Sequence, residues 1–285
     1  MYAQYLMNGI MIGGLYACLA VGFSLVWGVL NIVNMLHGSF VVLGAYLTIV
    51  GVDRLGLPAW VVAPLICAAL FALGYALQRG LINKVVAQPI LMTLTLTFGL
   101  DLILNNLLLY QFTATPRSLV LNYGSLDLGG VRVPVARLGA IVIAVALTLA
   151  LFWLLRHSKM GRAIIAVRMD RHAAALMGID IPNIYATTFG IGALMAGAAG
   201  SAMALISPIT PMMSGTFLGK AFVICVLGGL GSVPGAIVGG LVLGLVESYG
   251  SLMFGAQWAT TFGFVLMVLV ILLLPSGLAG RSGYE

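Results

Sequence analysis

Few residues in this chain could do chemistry, and they stand apart in greasy surroundings. Asp101 follows Thr93, Thr95 and Thr97 and precedes Asn105 and Asn106. On a helix Thr93, Thr97, Asp101 and Asn105 recur every fourth residue and share one face. A polar stripe inside a membrane can line a path for a hydrophilic solute, or it can bond helices to each other. For Asp101 we expect a lining role. Lys220 and Glu247 are the other ionisable groups in apolar runs; they can pair across spans, and we expect them to be structural. A further polar group, Asn31, Asn34, His37 and Ser39, interrupts an apolar run. Asn31, Asn34 and His37 join the stripe as candidate substrate-path residues.

Several chemistries find no support. No paired histidines, GxSxG motif or metal-ligand cluster is present. Cys18, Cys67 and Cys225 lie singly in apolar runs at no metal spacing, so we expect buried thiols and no metal site. The run Gly215-Thr-Phe-Leu-Gly219-Lys220-Ala221 resembles a phosphate loop. It is one residue short between its glycines, and Ala221 replaces the required Ser or Thr. Gly229-Leu-Gly231 lacks the third glycine of a dinucleotide fingerprint. No nucleotide or cofactor site is expected in this chain.

The elements that must hold these residues are membrane spans. The chain has 285 residues, 62% hydrophobic and 7% charged. A soluble domain is about half apolar and a quarter charged, so this is a polytopic membrane protein, read as one domain over 1–285. The first basic residue is Arg54, which gives no positive region for a cleaved signal, so the first apolar run is expected to stay as a span. Apolar runs cover about 5–30, 40–50, 59–77, 89–110, 138–155, 184–206, 220–230, 236–254 and 258–274. That makes about 8–9 membrane segments in an all-α bundle. Two are broken or re-entrant, one near Asn31 to Ser39 and one through Ser207 to Gly219, where Pro208, Pro211 and Gly215 interrupt helix. Interrupted segments at matching places in the two halves suggest an inverted repeat with a path at its interface. The glycine pairs Gly9/Gly13, Gly235/Gly239 and Gly240/Gly244 suit close helix crossings. The loop 111–137, with Gly124 and Gly129-Gly130, has the makings of a small hairpin.

One stretch, 156–182, is hydrophilic. It carries Arg156, Lys159, Arg162, Arg168 and Arg171 with Asp170 and Asp180. The positive-inside rule puts it in the cytoplasm, with the Arg79–Lys84 loop and the Arg281 tail on the same side and 111–137 opposite. Met160-Gly161 should break the preceding helix, and Arg162–Met169 can form a short one. Asp170 can cap a second over Arg171–Met177, and Gly178 suits its end. His172, Ala173, Ala174, Leu176 and Met177 complete this knuckle. Two readings stand: a docking surface for a soluble partner, or a solvated loop that only fixes topology. The net charge of +6 is otherwise spread singly over loops, which excludes a nucleic-acid surface and fits contact with membrane lipid.

Other stretches carry a family resemblance. They are Leu19–Gly28 leading to Asn34-Met-Leu-His37-Gly38, Met160-Gly161-Arg162-Ala163, Leu176–Ile179, Lys220-Ala-Phe222, Val226–Ala236 and Leu274-Pro275-Ser-Gly277. Over nearly its whole length the chain resembles the H-type permease subunit of bacterial branched-chain amino acid ABC importers. The resemblance implies a type II-like importer fold in the bacterial inner membrane. It also implies a second, M-type permease, two cytoplasmic ATPases that carry ATP and Mg²⁺, and a periplasmic amino-acid-binding protein. It makes 156–182 the cytoplasmic coupling loop, with Ala173-Ala174…Gly178 in the pattern presented to ATPases. His172 and Ser39 stand where acidic residues are common. The expected function is ATP-driven import of branched-chain or related small apolar amino acids, not an enzymatic reaction in this chain. The rivals are a stand-alone ion-coupled secondary transporter and an ABC permease for urea, amides or aromatic acids.

Overall fold

A computed structural model describes residues 2–119, 124–128, 131–274 and 277–278. The Gly129-Gly130 turn, Pro275 and Arg281 lie outside the described residues. Helix α1 spans Tyr2–Leu30, α2 His37–Asp53, α3 Ala59–Gly80 and α4 Ile90–Phe112. Strands β1 (Ser125–Leu128) and β2 (Val131–Pro134) form the expected hairpin, with Leu126 opposite Val133. Then follow α5 (Val135–His157), α6 (Lys159–Met169), α7 (Arg171–Leu176), α8 (Ile181–Ala204), α9 (Ser214–Gly228), α10 (Val233–Phe254) and α11 (Ala259–Leu273). Among the described residues seven helices are long and apolar enough to cross a membrane, counting α9 with the turn before it. Two shorter apolar helices, α2 and α11, accompany them.

The architecture is an inverted repeat. The first helix of each half is the most buried: 89% of the apolar core of both α1 and α8 lies inside the bundle. The halves then pack reciprocally, α1 along α10 and α8 along α3. Glycine permits the first crossing, since a Cβ on Gly13 would stand 2.8 Å from Leu241 Cα. Such close backbone approach is how membrane helices gain packing when lipid supplies no hydrophobic drive. The peripheral helices α4, α5 and α11 leave broad apolar faces outward, as lipid allows.

Both halves break at the same point. Helix α1 stops because Asn31 takes the left-handed conformation (φ 53°), which asparagine tolerates better than most residues. Residues 31–36 then run back into the bundle, and α2 begins at half depth, where the His37 ring meets the mid-helix Leu19 carbonyl of α1 at 3.0 Å. In the second half α8 ends at Ala204, 205–213 turns inward, and α9 begins beside Gly38 of α2. The ends of the bundle follow. Leu30, Lys84, Gly231 and Leu278 lie at the end that carries 156–182; Asn8, Asp53, Arg137 and Ala204 lie at the other. The Arg79–Lys84 loop therefore shares an end with 156–182, and the hairpin lies opposite.

Three boundaries differ from the sequence reading. His37-Gly38-Ser39 opens α2 instead of belonging to the break. Gly215 and Gly219 lie inside α9, whose first half the prolines do not reach; the irregular stretch ends at Met213. Met160-Gly161 does not break a helix: α5 ends at His157, Ser158 caps the next helix by accepting from Gly161 N–H at 2.8 Å, and both residues lie in the first turn of α6. A serine cap, not a glycine break, makes that corner.

Candidate transport path and docking surface

Helix α4 shows how the sequence builds a polar wall. Its outward face is mostly apolar, with Thr95 and Asn106 bonded back to their own helix carbonyls, while Thr93 and Thr97 are fully buried. The helix is inside-out relative to a soluble one, because in lipid the apolar side belongs outside. Thr93 closes its hydroxyl on the Ile90 carbonyl at 2.8 Å. Thr97 accepts from the Met35 N–H at 3.4 Å and shares its one hydroxyl proton between the Val33 carbonyl at 3.2 Å and its own helix's Leu94 carbonyl at 3.1 Å. The bonds to Val33 and Met35 satisfy backbone groups of the first break that have no helical partner. One turn further, Ser39 Oγ of α2 donates to the half-buried Asp101 carboxylate, with Asn105 beside it. The stripe therefore meets the first break at Thr97 and the first turn of α2 at Asp101.

At the end that carries 156–182 this wall opens into a cavity of about 460 Å³. Asn31, Gln88, Thr93, Tyr185, Arg168 and Arg171 line it. Of the residues named for the path, Asn31 and Thr93 meet in this cavity, and Thr97, Asp101 and Asn105 continue inward from it. Asn34 and His37 sit behind the wall, almost wholly buried. Asn34 Oδ1 accepts the Leu36 N–H at 3.2 Å, and His37 packs edge-on against Phe23.

The ionisable pair is elsewhere. Lys220 of α9 meets Glu247 of α10 at 2.8 Å, their side chains only 13% and 9% exposed. Tyr16 of α1 donates to the same carboxylate oxygen at 2.6 Å and accepts from Lys220, whose ammonium also stands 4.6 Å from the Tyr16 ring centre. Three helices are tied by one neutralised cluster. Sequence reasoning missed Tyr16, since a tyrosine in an apolar helix gives no signal of a partner 231 residues away.

The hydrophilic stretch folds as two short helices. Asp170 caps α7 by accepting from His172 N–H at 2.8 Å and Ala173 N–H at 3.0 Å. The Ala173 and His172 amides hold its carboxyl below the usual carboxylate range, so the cap is lost only as pH falls through that depressed value. Gly178 ends α7 with φ 79°, its N–H bonded to Ala175 and the Ile179 N–H reaching back to Ala174. Arg162 is spent internally, donating to the His157 carbonyl at the end of α5. The projecting surface combines exposed Arg171 and His172 with three long apolar side chains: Met169, Leu176 and Met177 are 78%, 89% and 82% exposed. Sequence reasoning does not single out Met169; its signal is a long apolar side chain between Arg168 and Asp170 at the end of an amphipathic helix.

A multi-pass α-helical bundle with two broken segments, an inverted repeat and a polar wall between them defines a membrane transport permease. The chain belongs to the branched-chain amino acid transport system / permease component family, whose model matches residues 5–274. It is 32% identical to the high-affinity branched-chain amino acid transport system permease protein BraD of Pseudomonas aeruginosa, over all of this chain and 97% of that one. It is 30% identical to the corresponding LivH protein of Escherichia coli K12, with the same coverage. A probable branched-chain amino acid permease of Methanocaldococcus jannaschii is 24% identical over 96% of this chain and 91% of its own. No solved structure matches the chain. This is a permease component of a transport system and a multi-pass protein of the inner membrane.

Proposed function

We propose that the chain forms half of the membrane pathway of an ATP-driven importer for branched-chain or related small apolar amino acids. A second, M-type permease completes the pathway. A periplasmic binding protein delivers solute at the hairpin end, and two ATPases dock in the cytoplasm on α6–α7. The observation that carries this reading is the apolar tip of Met169, Leu176 and Met177, held out by a capped helix. An exposed apolar cluster of this kind marks a protein contact. ATP binding on the partners biases the pathway between two states, which is coupling between distant sites. The relatives named as high-affinity branched-chain amino acid permeases support the substrate class.

The ion-coupled alternative loses one of its candidate sites, because Lys220 already neutralises Glu247. Two experiments test the proposal. Uptake by cells with ATP maintained should persist under a protonophore and stop with vanadate; the reverse pattern would establish ion coupling. Leu176→Asp with Met177→Asp should abolish co-purification of the ATPases while the permease stays folded. Retention of the ATPases by that variant would remove α7 as the docking element.

A further inference from the structure

The cavity at the α6–α7 end has a chemistry that docking alone leaves unused. Its walls come from the first break (Asn31), the turn before α4 (Gln88), the α4 stripe (Thr93) and the knuckle (Arg168 and Arg171). No acidic residue lines it. Neither arginine has a hydrogen bond or an ion pair among the described residues. The Arg168 guanidinium reaches inward to the end of α1, with Nε 3.5 Å from where a Cβ on Gly28 would stand. It packs beside Gly28 and Gly231, and Met169 of the apolar tip lines the same cavity. The cavity's volume, about 460 Å³, is within the range of small-molecule sites.

Resting on the importer reading above, we infer that this cavity is an exit subsite for the solute's carboxylate, held by Arg168 and Arg171. Two guanidinium groups with free donors, in a recess without competing acids, are suited to a planar carboxylate. The position supports the same ligand. Along α4, Asp101 lies about two turns further from this end than Thr93, so a solute arriving from the hairpin end reaches the level of that carboxylate before the arginines. An α-amino acid would meet an acceptor-rich wall first and a donor-rich recess last. Because both arginines belong to the knuckle, an occupied subsite touches the element on which the ATPases act.

The test uses the assembled complex carrying Gln88→Cys. The natural Cys18, Cys67 and Cys225 are buried, so the introduced thiol is the one that reacts with the neutral reagent N-ethylmaleimide. Leucine and 4-methylpentanoate, which carry the carboxylate, should slow labelling. 3-Methylbutylamine, which lacks it, should not, and inorganic phosphate should protect only at much higher concentration. Arg168→Gln with Arg171→Gln should raise the half-protecting concentration of 4-methylpentanoate roughly tenfold, as expected for a lost charge-assisted contact. Equal protection by the amine would show a site that reads the alkyl chain. Equal protection by phosphate would show an unselective cationic patch. Unchanged protection in the double variant, or no protection by any solute, would remove the arginines from solute binding. Release of the ATPases by the double variant without a change in solute protection would assign them to the partner instead. Any of these results overturns the proposal. Failure of the unmodified chain to retain ATPases would instead count against the importer reading, and the labelling pattern would still decide the subsite.

Discussion

The two broken segments occupy equivalent places in the inverted repeat, yet they are held in opposite ways. Residues 31–36 are satisfied by side chains: Thr97 bonds both Val33 and Met35, and Asn34 bonds Leu36. Residues 205–213 are held largely by backbone. Ile209 and Arg117 exchange both of their hydrogen bonds, at 3.0 and 2.8 Å, Leu119 N–H bonds Ala204, and Tyr46 adds its hydroxyl to the Ile209 carbonyl. The helices that follow differ too. Helix α2 offers Ser39 to a half-buried carboxylate, whereas α9 carries Lys220 in a closed cluster. Irregular backbone at membrane depth survives only when buried in protein or lining a cavity. The first break adjoins the cavity beside α6–α7, whereas the second leaves Met212 73% exposed and adds Leu205 to a separate apolar cavity near the hairpin end. One fold element is thus held mainly by side chains in one half and by backbone pairing in the other; the helix after the first meets the candidate path wall, and the helix after the second meets the closed Lys220–Glu247 frame.

The strongest way to break this contrast is at the frame. Glu247→Gln leaves the Lys220 ammonium largely enclosed without a counter-charge and should cost about 3–5 kcal/mol. Size-exclusion recovery after heating in detergent would read it. Lys220→Met with Glu247→Leu should restore most of that loss; if the double variant is as unstable as the single, the cluster is more than a neutralised pair. At the path wall the expected effect is on transport. Asp101→Asn should lower uptake roughly tenfold, the scale of one charge-assisted contact, with ATPase retention and heat stability unchanged. A matching fall in stability would make α4 a frame helix and erase the distinction. The smallest effect is Tyr46→Phe, which removes one hydrogen bond from the second break and should cost about 1 kcal/mol with little change in uptake.

What was legible in the sequence was local or periodic. The four-residue spacing of Thr93, Thr97, Asp101 and Asn105 identifies one face because a helix has 3.6 residues per turn. The Asp170 cap and Gly178 stop are readable for the same reason: their partners lie within a few residues. Charge alone does not identify the exposed contact residues of the knuckle: Arg162 bonds the nearby His157 carbonyl, while Leu176 and Met177 project. The illegible part is long-range. Nothing in Tyr16 announces Glu247, and nothing in Gly13 announces Leu241. The repeat shows as shared packing, α1 on α10 and α8 on α3, with little shared sequence, since lipid-embedded helices of different composition can present the same small-residue crossings.

The abutment of α2 and α9 has an electrostatic consequence. A Cβ on Gly38, in the first turn of α2, would collide with the backbone of Ser214, the first residue of α9. Two helix N-termini therefore face one another near half depth, each equivalent to roughly half a positive charge. Like ends held together in a medium of low polarity repel, whereas the glycine crossing of α1 and α10 brings no such penalty. The seam between the half-helices stores a bias toward parting, and any carbonyl, water or anion that entered it would be stabilised by both dipoles at once.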